Sequence, residues 1–446
     1  MNYFDKLNAH REFISNAERY IWKNAEVGYK EFKTDAFMKK AFTKLGYEIK
    51  EAGDITGFSA ELDTGREGPT LALIAELDAL YCSSHPETNP ETGAVHACGH
   101  NVQCAALLGV AAVLKDKGEL DNLSGKIRFV VVPAEEGVEI TFRSDLVKKG
   151  KISFTSGKPE MIKRGFFDGV DLAFMVHLDN LSEDNSIFLV DKGSNGNIRK
   201  RTVIRGKASH AGENPFGGVN ALNAASLAIS ATNYLRETFK ESDFVRFHSI
   251  ITEGGASVNV VPDEIVIESY VRAATVKSLV EANERINRAI ICAVASVGAE
   301  VEITDLPGSY PLHNDENFVM LTMEVAKELA GQKCFYKNYW KGSCTDMGDV
   351  STIVPSVHAY VGGLEGVLHA KNYNVADPAT TCINSANLQL SVTEKLLSNG
   401  AERAKFIVKN FVPEFKDTKE FVTEKQKLNK VLKPIKLDGN GVEIEF

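Results

Sequence analysis

At 446 residues the chain is longer than one hydrophobic core readily serves, so two domains are expected. Hydrophobic residues make up 43% and charged residues 25%, and no low-complexity run occurs, which excludes long disorder. No apolar run approaches the roughly 20 residues that span a bilayer, and the start, MNYFDKLNAHREF, lacks the regions of a signal peptide. A net charge of -9 argues against a nucleic-acid-binding face, so a cytoplasmic protein with no membrane and no nucleic-acid partner is expected.

In chain order, the first elements are two amphipathic helices. Apolar positions recur at helical spacing through Phe13, Ile14, Ala17, Tyr20 and Ile21, then through Phe37, Met38, Phe42 and Leu45. After Gly46 the pattern changes to buried-strand runs, each with chemically suggestive residues at or beyond its end. TLALIAELDAL is apolar to Ala75 and then offers Glu76 and Asp78; HACGHN follows, leading into a small-residue helix, VQCAALLGVAAVLKDKG. KIRFVVVPAEEG ends in Glu135 and Glu136, DLAFMVHLDN in His177, and SVHAYVGG reaches a loop carrying His369. Val/Ile/Leu runs alternating with helices predict an α/β fold with a mostly parallel sheet and helices on both faces. Sites in such sheets gather beyond the carboxyl ends of the strands.

Between these runs the order differs. TVIRGKASHA reads as strand, GVNALNAASLAISATNYLRETF as helix, VRFHSIITEGG and EIVIESYVRAAT as strands, VKSLVEANERINRAIICAVASVG as helix and AEVEITDL as strand. That βαββαβ order is the ferredoxin-like unit. The expected organisation is a discontinuous catalytic domain over 1–195 and 312–411, an inserted domain over 196–311, and a C-terminal extension, 412–446, to which no role is assigned. A helix is predicted over 316–331 and a long one over 385–411.

The seven cysteines (Cys82, Cys98, Cys104, Cys292, Cys334, Cys344 and Cys382) include no CxxC pair, which disfavours both a disulfide framework and a zinc ribbon. A metal-assisted hydrolase needs ligands on rigid elements, an open position for water and a base. Cys98, His100, Glu136, His177 and His369 can supply ligands. Five are too many for one open tetrahedral ion, and suit two ions that share a water. Adjacent residues at a strand end point in opposite directions, so one of Glu135 and Glu136 can bind metal while the other acts as base. Spacing does not say which.

AEVGYKEFKT, HACGHN, VVVPAEEG, RGKASHAGENPFGGVNAL, SVNVVPDE and GSCTDMGDVS together resemble a known family over roughly residues 10–410: the dinuclear metal-dependent amidohydrolases and exopeptidases that include aminoacylase, glutamate carboxypeptidase and the indole-acetyl-amino-acid hydrolases. HACGH with Cys98, followed by Asn101, is most similar to the aminobenzoyl-glutamate hydrolase-like branch. The resemblance implies Cys98, His100, Glu136, His177 and His369 as ligands of two divalent ions per subunit (zinc, manganese or cobalt), with Glu135 as catalytic base. It implies that Asp78 orients a ligand, that His210 steadies the oxyanion across a homodimer formed by the inserted domain, and that Asn259, Arg272, Gly342 and Ser343 hold the substrate. Arg suits a carboxylate because its fork pairs both oxygens.

The implied activity is hydrolysis of an amide in a small N-acyl amino acid, an aminobenzoyl-glutamate-like conjugate or a dipeptide, releasing an amino acid. The rivals are a dipeptidase or carboxypeptidase of the same family, an idle protein that binds amino-acid conjugates, and a structural dimer. EEGVEI, HLDN and GSCTD depart from the family pattern; the first two sit where substrate choice is made. His96 reads equally as a site neighbour or as packing, and His85, His248, His313 and His358 read as structural.

Overall fold

The computed structural model describes residues 3–181, 186–433, 435–438 and 441–444. The chain divides into two compact units: 1–193 with 312–340 and 349–422, and 194–311 with 341–348 and 423–446.

The first unit is built on a nine-stranded sheet. Its centre is four parallel strands in the spatial order Lys126–Val132, Thr70–Glu76, Leu172–Leu178, Ser356–Val361. Every residue of Thr70–Glu76 and of Ser356–Val361 is buried, as expected of strands covered on both faces. The flanks are antiparallel: Phe58–Asp63 pairs with Lys126–Val132, Ile49–Glu51 with Phe58–Asp63, and Phe188–Ser194 with Ser356–Val361. The fold is thus α/β with a parallel core, and antiparallel pairing is confined to the margins.

The helix His100–Val113 is buried along its whole length, which explains its run of alanines in place of an amphipathic stripe. At Gly109 an added Cβ would lie 2.8 Å from Ile14 Cδ1, so the helix Arg11–Lys23 can approach only because no side chain intervenes. Phe42, on the helix Phe32–Lys44, is fully buried and meets Tyr47, Phe58 and Phe129 edge-on, at ring separations of 5.4, 5.4 and 5.3 Å. Phe42→Ala is expected to cost this unit about 3–5 kcal/mol, read as a lower urea midpoint with the slope unchanged.

The single long helix expected over 385–411 is two. Pro378–Leu397 starts earlier, with Asp377 capping the Thr380 N–H at 3.0 Å and Pro378 in the first turn. It is separated from Glu402–Asn410 by Asn399, Gly400 and Ala401, all at positive φ (52°, 72° and 59°), a conformation that a right-handed helix cannot continue through.

The second unit is an antiparallel sheet in the order Arg246–Glu253, Glu264–Ala273, Gly196–Arg205, Glu300–Pro307, Lys430–Leu432, with the helices Ala221–Tyr234 and Val276–Ala295 packed on it. Its first four strands have the ferredoxin-like order. Gly196–Arg205 begins and ends earlier than the expected TVIRGKASHA. KASHAG is instead a loop, tied by the isolated bridges Lys207↔Val219 and His210↔Val260. The fifth strand comes from the C-terminal extension: Lys430, Val431 and Leu432 pair with Asp305, Thr304 and Ile303. It covers an edge whose N–H and C=O groups would otherwise be open. Inside, Lys200 is fully buried and ion-paired to Asp305, whose other carboxylate oxygen accepts from Asn283 (2.6 Å) and Asn287 (2.8 Å). No described helix is long and apolar enough to cross a membrane.

Candidate metal centre and active site

The four central strands run in one direction, so their carboxyl ends deliver side chains to one margin of the sheet. Asp78 follows Thr70–Glu76, Glu135 and Glu136 follow Lys126–Val132, His177 lies near the end of Leu172–Leu178, and His369 is in the loop beyond Ser356–Val361. Cys98 and His100 flank Gly99 at the start of the buried helix. Gly99 has φ 91°, and a Cβ there would lie 2.8 Å from Leu178 Cβ, so only glycine fits between the two. His369 is a non-glycine residue at φ 62°, held there by its N–H donating to the Ala97 carbonyl at 2.9 Å. Such a conformation persists only where its surroundings enforce it.

Two groups of ligand atoms result, each within 4.8 Å: Cys98, His100 and His177, and Cys98, Glu136 and His369. They share Cys98 Sγ, which lies 3.4 Å from His177 Nε2 and 3.3 Å from His369 Nε2. Glu136 Oε1 is 3.3 Å from His369 Nε2. Neighbouring carbonyls aim the rings: His100 Nδ1 is 2.7 Å from the Asp78 carbonyl, and His177 Nδ1 is 2.6 Å from that of Leu178. Each leaves Nε2 facing the centre. The Asp78 carboxylate accepts the Glu136 N–H at 2.9 Å and lies 3.4 Å from His100 Nδ1, so it braces both groups. His358 stacks on His177 at 5.6 Å. His96 is buried with neither ring nitrogen hydrogen-bonded, belongs to none of these groups, and is lowered to about 3 by burial and then by the His100 charge.

A divalent cation fits these residues. His100 Nε2 and Asp78 Oδ1 are buried without a hydrogen bond, a costly state for polar atoms unless a cation meets them. The S, N and O donors suit first-row divalent ions. Burial, then the Glu136 charge, pushes the Cys98 thiol well up, and a coordinated cation would remove that proton. Burial raises Glu136, but the His369 hydrogen bond and charge, with that of His100, outweigh it and bring it to about 2. His369 is raised in turn, first by its hydrogen bond to Glu136.

Glu135 separates from Glu136: it is half-buried and groups with Glu76 and His100. Two residues near the centre are given no role by the sequence. Glu76 is visible at its strand end. Lys158, wholly buried in the short helix Gly157–Lys163 and ion-paired to Glu76, carries no signal, because a lysine in a sequence reads as surface. Asn101, which follows the HACGH cluster, is buried and donates to Glu18 at 2.7 Å.

Glu31 is also buried; it accepts the Ala134 N–H at 2.8 Å and the Thr56 hydroxyl at 2.6 Å, and is pushed up to about 8 by burial and then by the Asp78 charge. The folded protein therefore keeps a proton that the unfolded chain loses above 4.5. Stability of the metal-free protein is expected to fall as pH rises from about 4.5 to about 8. Glu31→Gln should lack this component, which unfolding curves taken across that window will show.

In the second unit, His210 Nδ1 accepts the N–H groups of Gly212 (3.2 Å) and Glu213 (3.0 Å), leaving the ring proton on Nε2, which lies 3.2 Å from the Asn259 side-chain amide. His210 and Asn259, 49 residues apart, are thus brought together. Arg272 lies elsewhere in that unit, with Nη1 3.5 Å from the Gly342 carbonyl and 3.4 Å from Cys344 Sγ. Ser343 is exposed beside them in sequence.

An α/β unit with two metal-ligand groups meeting at one cysteine defines the class, a metal-dependent hydrolase. The model of peptidase family M20/M25/M40 matches residues 72–389. The chain belongs to that family and is a hydrolase of amide or peptide bonds. It is similar to the Xaa-Arg dipeptidase of Mus musculus, 27% identical over 83% of this chain and 82% of the relative. It is also similar to the N-acetyl-L-cysteine deacetylase of Bacillus subtilis (strain 168), 29% identical over 69% and 70%. Among solved structures, a dinuclear metal binding M20 peptidase of Bacillus subtilis shares the fold at TM-score 0.64 and 22% identity, over 86% of this chain and 98% of that one.

Proposed function

We propose that this chain uses two divalent cations, zinc, manganese or cobalt, to hydrolyse the amide of a small N-acyl amino acid, an aminobenzoyl-glutamate-like conjugate or a dipeptide, releasing a free amino acid. The observation that carries this reading is the meeting of two ligand groups at Cys98 Sγ. Cys98, His100 and His177 would hold one ion, and Cys98, Glu136 and His369 the other. Bound there, the pair supplies Lewis acidity toward the amide carbonyl and the attacking water.

The protein's own groups do the rest. Glu135, half-buried beside the ligands rather than among the Cys98 groups, takes the proton of the attacking water and returns it to the leaving amine. Asp78 keeps His100 and the Glu136 backbone in place. His210, with its proton on Nε2, donates to the oxyanion; that role across a homodimer built on the second unit predicts a dimer in sedimentation. Asn259 holds the substrate carbonyl, and Arg272 pairs its carboxylate, with Gly342 and Ser343 lining that end. A dipeptidase or carboxypeptidase of the same family is the second reading, favoured by the likeness to an Xaa-Arg dipeptidase over most of both chains.

The test is mass-spectrometric hydrolysis of a mixed pool of N-acyl amino acids, aminobenzoyl-glutamate and dipeptides, with zinc or manganese supplied and Glu135→Gln as the blank. Loss of pool members with wild type alone supports the reading and names the substrate class. Equal loss with both proteins overturns the mechanism, and no loss by wild type carrying its metals points to a conjugate-binding protein.

A further inference from the structure

Ala134, the residue before Glu135, is buried with φ 56°, a conformation that a residue with a side chain keeps only where its neighbours hold it. It is held from both sides. Its N–H donates to the Glu31 carboxylate at 2.8 Å, and its carbonyl accepts the Gly157 N–H at 3.2 Å and Arg143 Nη1 at 3.3 Å. The turn takes its shape from three segments other than its own, and that shape sets the directions in which Glu135 and Glu136 leave the strand Lys126–Val132.

Of these holds, Arg143 carries the greatest desolvation cost. It is fully buried on the helix Ile140–Lys148. Nη1 donates also to the Thr155 carbonyl at 2.8 Å, and the guanidinium lies 5.6 Å from the centre of the Tyr29 ring, within cation-π reach. At Gly28 an added Cβ would stand 2.3 Å from Arg143 Nη2 and 2.7 Å from Ala134 Cα, so the guanidinium passes where glycine leaves room. The start of the helix is itself fixed. Glu139, just before it, ion-pairs with Lys30 at 2.8 Å and accepts the Tyr81 hydroxyl at 2.9 Å. The Tyr29 hydroxyl donates to the Phe154 and Ser156 carbonyls at 2.9 and 3.1 Å, which places the loop carrying Thr155. Fully buried, Arg143 cannot touch substrate, so its effect on the reaction has to pass through Ala134.

We propose that Arg143 is a positioning residue for the catalytic base: with Glu31 it locks Ala134 in the left-handed conformation and so aims Glu135 at the attacking water. This rests on the reading of Glu135 as the base. Glu136 is braced separately, its N–H donating to the Asp78 carboxylate at 2.9 Å, so loss of the lock reaches the base and leaves the ligand in place.

The test uses the full chain with its metals, on whichever member of the mixed pool above the wild type cleaves. Arg143→Met should lower kcat about 10²-fold, the effect of a small misplacement at the reacting centre, with KM and metal content unchanged. Adding Ala134→Gly to that variant should restore most of the loss, because glycine takes a positive φ without outside support. A residue needed only for folding would not be rescued in this way. Glu31→Met cuts the other hold and should show the same loss and the same rescue, and it serves in place of Arg143→Met should that variant fail to fold. Wild-type kcat in either variant, or a loss that Ala134→Gly leaves untouched, would overturn the assignment. Full activity of Glu135→Gln would instead overturn the base on which the assignment rests.

Discussion

Glu135→Gln is expected to keep both metal ions and to lose about 10²–10⁴-fold in kcat, the scale of a positioned acid-base group. The change is isosteric, and Glu135 lies outside both groups that share Cys98, so no proposed ligand is removed. What disappears is the group that receives a proton from water and passes it to the amine. Metal content by elemental analysis beside steady-state kinetics separates the two effects. A variant that loses metal together with activity would make Glu135 a ligand instead of the base, and one that keeps full activity would remove it from the mechanism.

Cys98→Ala is expected to reduce metal content more than any other single ligand change. Its Sγ is the atom common to both ligand groups, 3.4 Å from His177 Nε2 and 3.3 Å from His369 Nε2. His177→Ala and His369→Ala each touch one group and should each leave one ion bound, whereas Cys98→Ala should leave neither at micromolar metal and abolish hydrolysis. The side chain is small and buried, so its loss should leave the fold in place, which circular dichroism will check. Retention of one tightly held ion by Cys98→Ala would show that the two groups do not depend on a shared sulfur.

Both expectations start from features readable in the chain itself. Strands such as TLALIAE and SVHAYV announce themselves because strands buried on both faces are mostly apolar along their length, a local property. The cluster HACGHN and the pair Glu135-Glu136 stand out because ligand-type residues occur close together at the ends of such runs. The βαββαβ order of the second unit is legible for the same reason, since each element carries its own periodicity.

Other features exist only once distant segments meet. No periodicity at Lys430–Leu432 says that three residues of a charged tail complete a sheet, because pairing depends on an open edge supplied by Glu300–Pro307. The break at Asn399–Ala401 is set by backbone conformation, which apolar spacing does not record. Asn259 reaches His210 through a loop bridge. Most plainly, Glu76 is visible at its strand end, yet its partner Lys158 lies 82 residues away in a short helix. A buried lysine is tolerable only where a carboxylate already waits for it, and that pairing is decided by the tertiary fold. Local patterning is enough to place most helices and strands and to set which residue types stand at the strand ends. Which of those side chains face one another follows from the packed chain, because burial and contact belong to no one segment of it.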